Sequence, residues 1–187
     1  KKCLHILTAL FTLILIALFP LSADAYYVKT VDNVVYRMFE EDGEKKAIVC
    51  DFVDDEETTK LNILSEVDGY KVTSVEPEPR VHYLTAVTEV TVGENIECLY
   101  DCAFIGFESL KKVNLPSTLT YIGERVFSTC TNLEKINLDY VTYIGTGAFS
   151  GCTSLKSVVF SENLEIIGSS SFANTGLETV TIPSKAY

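Results

Sequence analysis

Beyond residue 25 the sequence holds one histidine, His82, and five cysteines, Cys50, Cys98, Cys102, Cys130 and Cys152. A thiol needs a base beside it to act as a catalytic nucleophile, so His82 with Cys98, Cys102, Cys130 or Cys152 is the only thiol–imidazole pairing these residues permit. Cys130 and Cys152 recur at one position of the repeat described below, and packing explains a recurring position better than catalysis does. Zinc takes about four ligands, and no Cys-x-x-Cys pair is present. Nine acids, Glu40, Glu41, Asp42, Glu44, Asp51, Asp54, Asp55, Glu56 and Glu57, crowd one segment, but without the Asp-x-Asp-x-Asp-Gly spacing that fixes ligands around calcium. A solvated hairpin is expected there. The Ile-Gly pairs at 122–123, 144–145 and 167–168 are spaced by the repeat and do not make a phosphate loop. No cofactor or metal is expected, and no enzymatic activity.

The chain opens with Lys1 and Lys2, an apolar run from Leu4 to Leu21, and Ala23-Asp24-Ala25, the small-x-small pattern at which signal peptidase cuts. Residues 1–25 therefore read as a secretory signal peptide rather than a membrane anchor, with Pro20 near the end of the run. The exported product, secreted or held at the cell surface, would carry no membrane span. Removing Lys1, Lys2 and Asp24 takes one net positive charge from a total of −11 and leaves −12, which argues against a nucleic-acid partner.

The elements that would position any site are set by a repeat. Val87, Leu110, Leu133, Leu155 and Leu177 open units spaced by 23, 23, 22 and 22 residues. Three residues on come Val90, Val113, Ile136, Val158 and Val180, and two further Val92, Leu115, Leu138, Phe160 and Ile182. Then follow Ile96, Leu119, Val141 and Leu164; Leu99, Ile122, Ile144 and Ile167; and Phe104, Phe127, Phe149 and Phe172. All 27 of these positions are apolar. One unit cannot bury its apolar edge alone, so units must stack, each adding a short strand to a parallel sheet at about 4.8 Å spacing. Val90-Thr91-Val92, Val113-Asn114-Leu115 and Ile136-Asn137-Leu138 show the two-residue alternation of that strand. Gly123, Gly145 and Gly168 share one position, expected at a corner that only glycine turns without cost.

The segments LKKVNLPSTLTYIGERVFSTCTN (110–132), LEKINLDYVTYIGTGAFSGCTS (133–154) and LKSVVFSENLEIIGSSSFANTG (155–176) resemble the BspA-like leucine-rich repeats of bacterial and protist surface proteins. Shared features are Leu-x-x-Ile-x-Leu-Pro followed by Ile-Gly, Ala-Phe and Cys. The resemblance covers 61–187. It departs from the pattern at 76–86, and in unit 87–109, where Tyr100 replaces the glycine and Phe107 the cysteine. The implied fold is a mainly β leucine-rich-repeat solenoid of about five coils of 22–23 residues. Residues 26–60 do not repeat: Val34-Val35-Tyr36, an Asp42-Gly43 turn and Ala47-Ile48-Val49 read as a β-hairpin cap over the open edge. Residues 61–86 form an atypical opening repeat and an irregular link, and 87–187 the repeats proper. Tyr187 follows the strand pattern 177–182 directly, so the array is expected to continue beyond it or to hide this end in a partner. Five cysteines are an odd set for disulfides. Cys130 and Cys152 would point in parallel from neighbouring coils, which disfavours a bridge and predicts a buried thiol ladder; pairing of Cys98 with Cys102 is left open.

What remains is surface. Thr91, Asn114, Asn137, Val159 and Thr181 are expected in one outward line, flanked by Lys112 and Lys135, with Tyr121 and Tyr143 stacked in a second column. Flat repeated faces of this kind bind extended partners. The resemblance implies an adhesin that presents this surface to host matrix or cell-surface proteins; a stalk, or a binding module of a larger secreted enzyme, are the alternatives. Mass spectrometry of the exported protein should find Tyr26 at its N-terminus. A product retaining Leu4 to Leu21 would instead carry an anchor.

Overall fold

The computed structural model describes residues 26–77 and 84–187, so the leader and His82 lie outside the described residues. The first three strands, β1 (Tyr27–Val31), β2 (Val34–Glu41) and β3 (Glu44–Phe52), form an antiparallel meander. Its turns are Asp32-Asn33 and Asp42-Gly43, all four residues at positive φ (46, 65, 52 and 80°). Two consecutive left-handed residues match the twist of a two-residue hairpin, and Asp, Asn and Gly tolerate them best. Next come β4 (Lys60–Ile63), β5 (Glu66–Val67) and β6 (Tyr70–Val75), then β7 (Glu89–Val92), β8 (Cys98–Leu99), β9 (Lys112–Asn114) and β10 (Tyr121–Ile122). The array ends with β11 (Lys135–Leu138), β12 (Tyr143–Ile144), β13 (Ser157–Phe160) and β14 (Ile166–Ile167). The described residues contain no α-helix.

The repeat generates a solenoid, but each coil supplies two strands rather than the single one expected. The alternating tripeptides give β7, β9, β11 and β13, while the Leu/Ile cluster that follows gives β8, β10, β12 and β14. A two-residue strand is too short to show an alternation, which is why the second set left no periodic signal. These short strands join in one parallel ladder, and the meander continues it: the order is β1-β2-β3-β6-β8-β10-β12-β14. The N-terminal hairpin thus extends the second sheet through β3–β6 pairing. It also reaches β4 of the first sheet, through the shared core of Val34, Tyr36, Leu61 and Ile63 and through the Tyr36 hydroxyl, which accepts the Leu64 amide at 2.9 Å.

Gly123, Gly145 and Gly168 are needed for a different reason from a left-handed corner, since none of the three has positive φ. A Cβ on Gly145 would lie 2.5 Å from the Gly123 carbonyl carbon, and one on Gly168 would lie 2.5 Å from that of Gly145. Successive backbones touch here, and any side chain would force the coils apart. Inside, Phe104, Phe127, Phe149 and Phe172 stack at ring-centroid distances of 5.5, 5.3 and 5.1 Å. Phe52 of the meander seals the open end of this column, 5.8 Å from Phe104 and 6.1 Å from Phe107. Cys130 and Cys152 are buried and free, their thiols donating to the carbonyls of Phe104 (3.3 Å) and Phe127 (3.0 Å) one coil back.

The fifth strand expected at 177–182 does not form, so Thr181 joins no outward line. Val180 and Ile182 are 46% and 55% exposed. The arc from Phe172 to Leu177 spans five positions where its equivalents 104–110, 127–133 and 149–155 span six, and it lacks the buried cysteine that anchors two of them. The segment stays anchored at its ends, by Gly176 against Thr153 and by Tyr187 bonded to Glu165 and Ile167, but between them no ladder to β13 forms.

Phe149→Ala should cost about 3–5 kcal/mol, because a ring held between two stacked neighbours leaves a cavity the column cannot close; an unchanged melting temperature would remove Phe149 from the core. Gly145→Ala should cost at least ~1–3 kcal/mol through backbone overpacking, read by the same thermal melt.

Candidate protein-binding surface

On the first sheet, strands β4, β7 and β9 pair in parallel, which aligns Lys60, Glu89 and Lys112 in one row and Asn62, Thr91 and Asn114 in the next. Glu89 is the centre of this patch. Its carboxylate accepts from Lys60 Nζ and Lys112 Nζ, both at 2.9 Å, and from Asn114 Nδ2 at 3.3 Å. The Lys112 bond, then those of Lys60 and Asn114, hold the Glu89 carboxyl down at about 2, against an ordinary 4.5. Asn114 Nδ2 also donates to Thr91 Oγ1 at 3.1 Å. Lys112 is therefore bound to its neighbour rather than extended towards a partner. Lys60 and Asn62 escaped the sequence reading, although Lys60-Leu61-Asn62-Ile63 repeats the pattern of Lys112-Val113-Asn114-Leu115 and Lys135-Ile136-Asn137-Leu138.

The row then breaks. No ladder joins β9 to β11; β11 pairs only with β13, setting Lys135 beside Ser157 and Asn137 beside Val159. Lys111 and Lys112 donate to the Thr88 carbonyl of the preceding coil, whereas Glu134 and Lys135 make no such bond to Lys111. Asn114 and Asn137, and Lys112 and Lys135, expected side by side, thus lie on neighbouring strands without the ladder that would hold them in register. The sequence marks the place of the break. Val92 to Ile96, Leu115 to Leu119 and Phe160 to Leu164 each span four positions, but Leu138 to Val141 spans three. The corner of coil 133–154 is one residue short, and the break in the sheet falls on the side of β11 that faces β9, while β11 still pairs in full with β13.

A cleft of about 240 Å³ occupies the gap, lined by Val113, Leu115 and Leu138 within and by Asn114, Asn137, Asp139 and Tyr140 among its polar and aromatic groups. Val113 and Leu115 are half-buried, while their equivalents Val90, Val92, Ile136 and Leu138 are at most 4% exposed. Asn137 Nδ2 donates to Asp139 Oδ2 at 2.9 Å and the Asp139 amide donates back to Asn137 Oδ1 at 3.0 Å, which fixes the short turn.

The second sheet carries the aromatic column. Tyr121 pairs with Tyr143, and their rings stack at 4.7 Å with an interplanar angle of 11°. Tyr100 extends the row, 5.8 Å from Tyr121. That extension came from a residue read only as a replaced glycine. Cys98 lies at the same register as Tyr121. Both Cys98 and Cys102 are free, and burial raises both thiols above their ordinary value, so neither is a poised nucleophile.

A family model described as the BspA type leucine rich repeat region matches residues 78–187 in six copies. The chain belongs to this family. The BspA-type fold is also that of solved proteins. A leucine rich cell surface protein of Faecalibacterium prausnitzii matches with TM-score 0.63 and 19% identity, over 88% of this chain and 51% of that one. The Treponema pallidum leucine rich repeat protein matches with TM-score 0.70 and 22% identity, over 88% and 72%. The pneumococcal vaccine antigen PcpA matches with TM-score 0.61 and 24% identity, over 80% and 42%. At these identities the likeness shows the fold, and the chain spans about half the length of the first and less of the third. No curated protein sequence matches the chain.

In the acidic hairpin Lys46 bridges Glu41 (2.9 Å) and Glu44 (3.8 Å). Among the described residues no group of three or more His, Cys, Asp or Glu side chains converges on a point that could hold a metal ion, and no helix is long and apolar enough to cross a membrane.

The depressed Glu89 value fixes a pH dependence. Its contribution is complete above pH 4.5 and is lost as pH falls through about 2, because the unfolded chain takes up the proton first. Glu89→Gln should flatten the acid loss of stability in that window, measured by denaturant melts from pH 5 to 2; an unaltered slope would discount the clamp. Alkylation of the native protein should label exposed Cys102 and spare Cys130 and Cys152, whose pKa values burial raises far, that of Cys152 to about 12.

Proposed function

We propose that this protein is exported after loss of residues 1–25 and works outside the cell as an adhesin-like binding protein, without catalysis. Its repeat surface engages other proteins, host matrix or cell-surface proteins among them. The observation that carries this reading is the row Tyr100, Tyr121 and Tyr143. Three rings from successive coils lie side by side on an open sheet face, with Tyr100 43% exposed. Tyrosine presents large, rigid area at low entropic cost and is among the residues that dominate protein interfaces. The rows Asn62, Thr91, Asn114 and Asn137, Val159 supply a second, mostly polar face on the other side of the coil. The cell-surface description of the Faecalibacterium protein supports the same location for this chain.

Surface plasmon resonance over immobilised fibronectin and fibrinogen tests the proposal. The wild type should bind at least one of them, and Tyr121→Ala with Tyr143→Ala should weaken binding by about tenfold or more, the loss of a hot-spot pair. Equal binding by wild type and double variant would remove the tyrosine row. Absence of binding by either would favour a stalk that displays another domain.

A further inference from the structure

We propose that the cleft between coils 110–132 and 133–154 is a receptor for a single basic side chain of a protein partner, arginine before lysine; this rests on the reading of the chain as a protein-binding surface. Its size sets the first limit. At about 240 Å³ it falls below the roughly 300–1,000 Å³ of pockets that enclose a whole small ligand. One long side chain fits.

The hydrogen-bonding groups set the second. Both N–H groups of Asn114 Nδ2 are taken, by Glu89 and Thr91, and one of the two on Asn137 Nδ2 is taken by Asp139 Oδ2. Asn114 Oδ1 and Asp139 Oδ1 have no partner among the described residues. Asp139 is the one charged side chain lining the cleft, so the charge of the site favours a cation. Arginine carries five N–H donors and no acceptor, and its planar fork matches a carboxylate.

Shape and charge agree. Val113, Leu115 and Leu138 make an apolar floor for the aliphatic stem. Tyr140, 58% exposed, adds an aromatic ring to the cleft lining, a group to which a guanidinium is attracted. The corner segments 93–95, 116–118, 139–140 and 161–163 carry Glu94, Asp139 and Glu162 and no lysine or arginine. Of the nearest cations, Lys112 is held by Glu89, and Lys135 lies four residues back along the strand, about 13 Å away. The cleft lies at the short corner, whose residues Asp139 and Tyr140 are part of its lining.

The test is an NMR titration of the exported chain with N-acetyl-arginine amide, its uncharged isostere N-acetyl-citrulline amide, and methyl glucoside. Arginine should shift the amides of Asn114, Asn137, Asp139 and Tyr140 saturably, with a dissociation constant of roughly millimolar order, and citrulline should bind at least about tenfold more weakly. Asp139→Asn should lower arginine affinity by about tenfold or more, and inserting one serine after Leu138 should abolish it while signals from the tyrosine row stay in place. Binding of citrulline or methyl glucoside as tight as arginine, an Asp139→Asn variant that binds normally, or arginine binding that survives the insertion would each overturn the proposal. Failure to bind arginine with matrix-protein binding intact would defeat this inference alone. Loss of all protein binding by the wild type would defeat the reading beneath it.

Discussion

The distance between successive backbones at the glycine row governs this molecule. Where Gly123, Gly145 and Gly168 meet, a single methyl group would sit 2.5 Å from the backbone, or from the Asp101 carboxylate, of the coil before. That contact fixes the pitch on one side of the solenoid. The second sheet inherits it directly, since β10, β12 and β14 immediately precede these glycines. The Phe column follows at 5.1 to 5.5 Å and the Tyr121–Tyr143 stack at 4.7 Å. A fold built on one enforced spacing converts any residue repeated at one position into a row, buried or exposed.

On the opposite side Gly93 and Gly176 make similar close approaches to the preceding coil, 2.5 and 2.6 Å from backbone atoms for an added Cβ, but no glycine does so between β9 and β11, and it is there that the repeat yields. The first sheet is divided into β4-β7-β9 and β11-β13, at a coil whose corner is one residue short and where no backbone contact of the glycine kind holds β9 and β11 together. Continuous core on one side and an interrupted sheet on the other are compatible because the interior column runs unbroken past the gap through Phe104, Phe127 and Phe149. The surface features thus differ in kind: the tyrosine row is a product of regularity, the cleft a product of its failure.

Much of this was legible in the residues. Strict recurrence of apolar positions identified the coils, their order and the buried Phe and Cys columns, since each of those properties depends only on the period. The Asp42-Gly43 hairpin was legible because a two-residue turn of that type demands those residues. The second strand of each coil was not, being too short to alternate, and β4 was overlooked because it falls at the start of the opening repeat 61–86, which departs from the later units. The Glu89 clamp depends on which rows fall opposite each other, and that register follows from pairing rather than from any one strand. The short corner was in plain view as a three-residue spacing among fours, but only the separated strands show what it does.

Amide hydrogen exchange resolved residue by residue tests the central claim most directly, that the coils are locked on the glycine side and parted between β9 and β11. Gly145 and Gly168, which donate to Ile122 and Ile144 at 2.8 and 2.7 Å, and Lys112, which donates to Thr88 at 3.2 Å, should be strongly protected. Lys135, the equivalent of Lys112 one coil on, should exchange orders of magnitude faster. Equal protection of Lys112 and Lys135 would mean that the sheet is continuous in solution and that the cleft does not exist there.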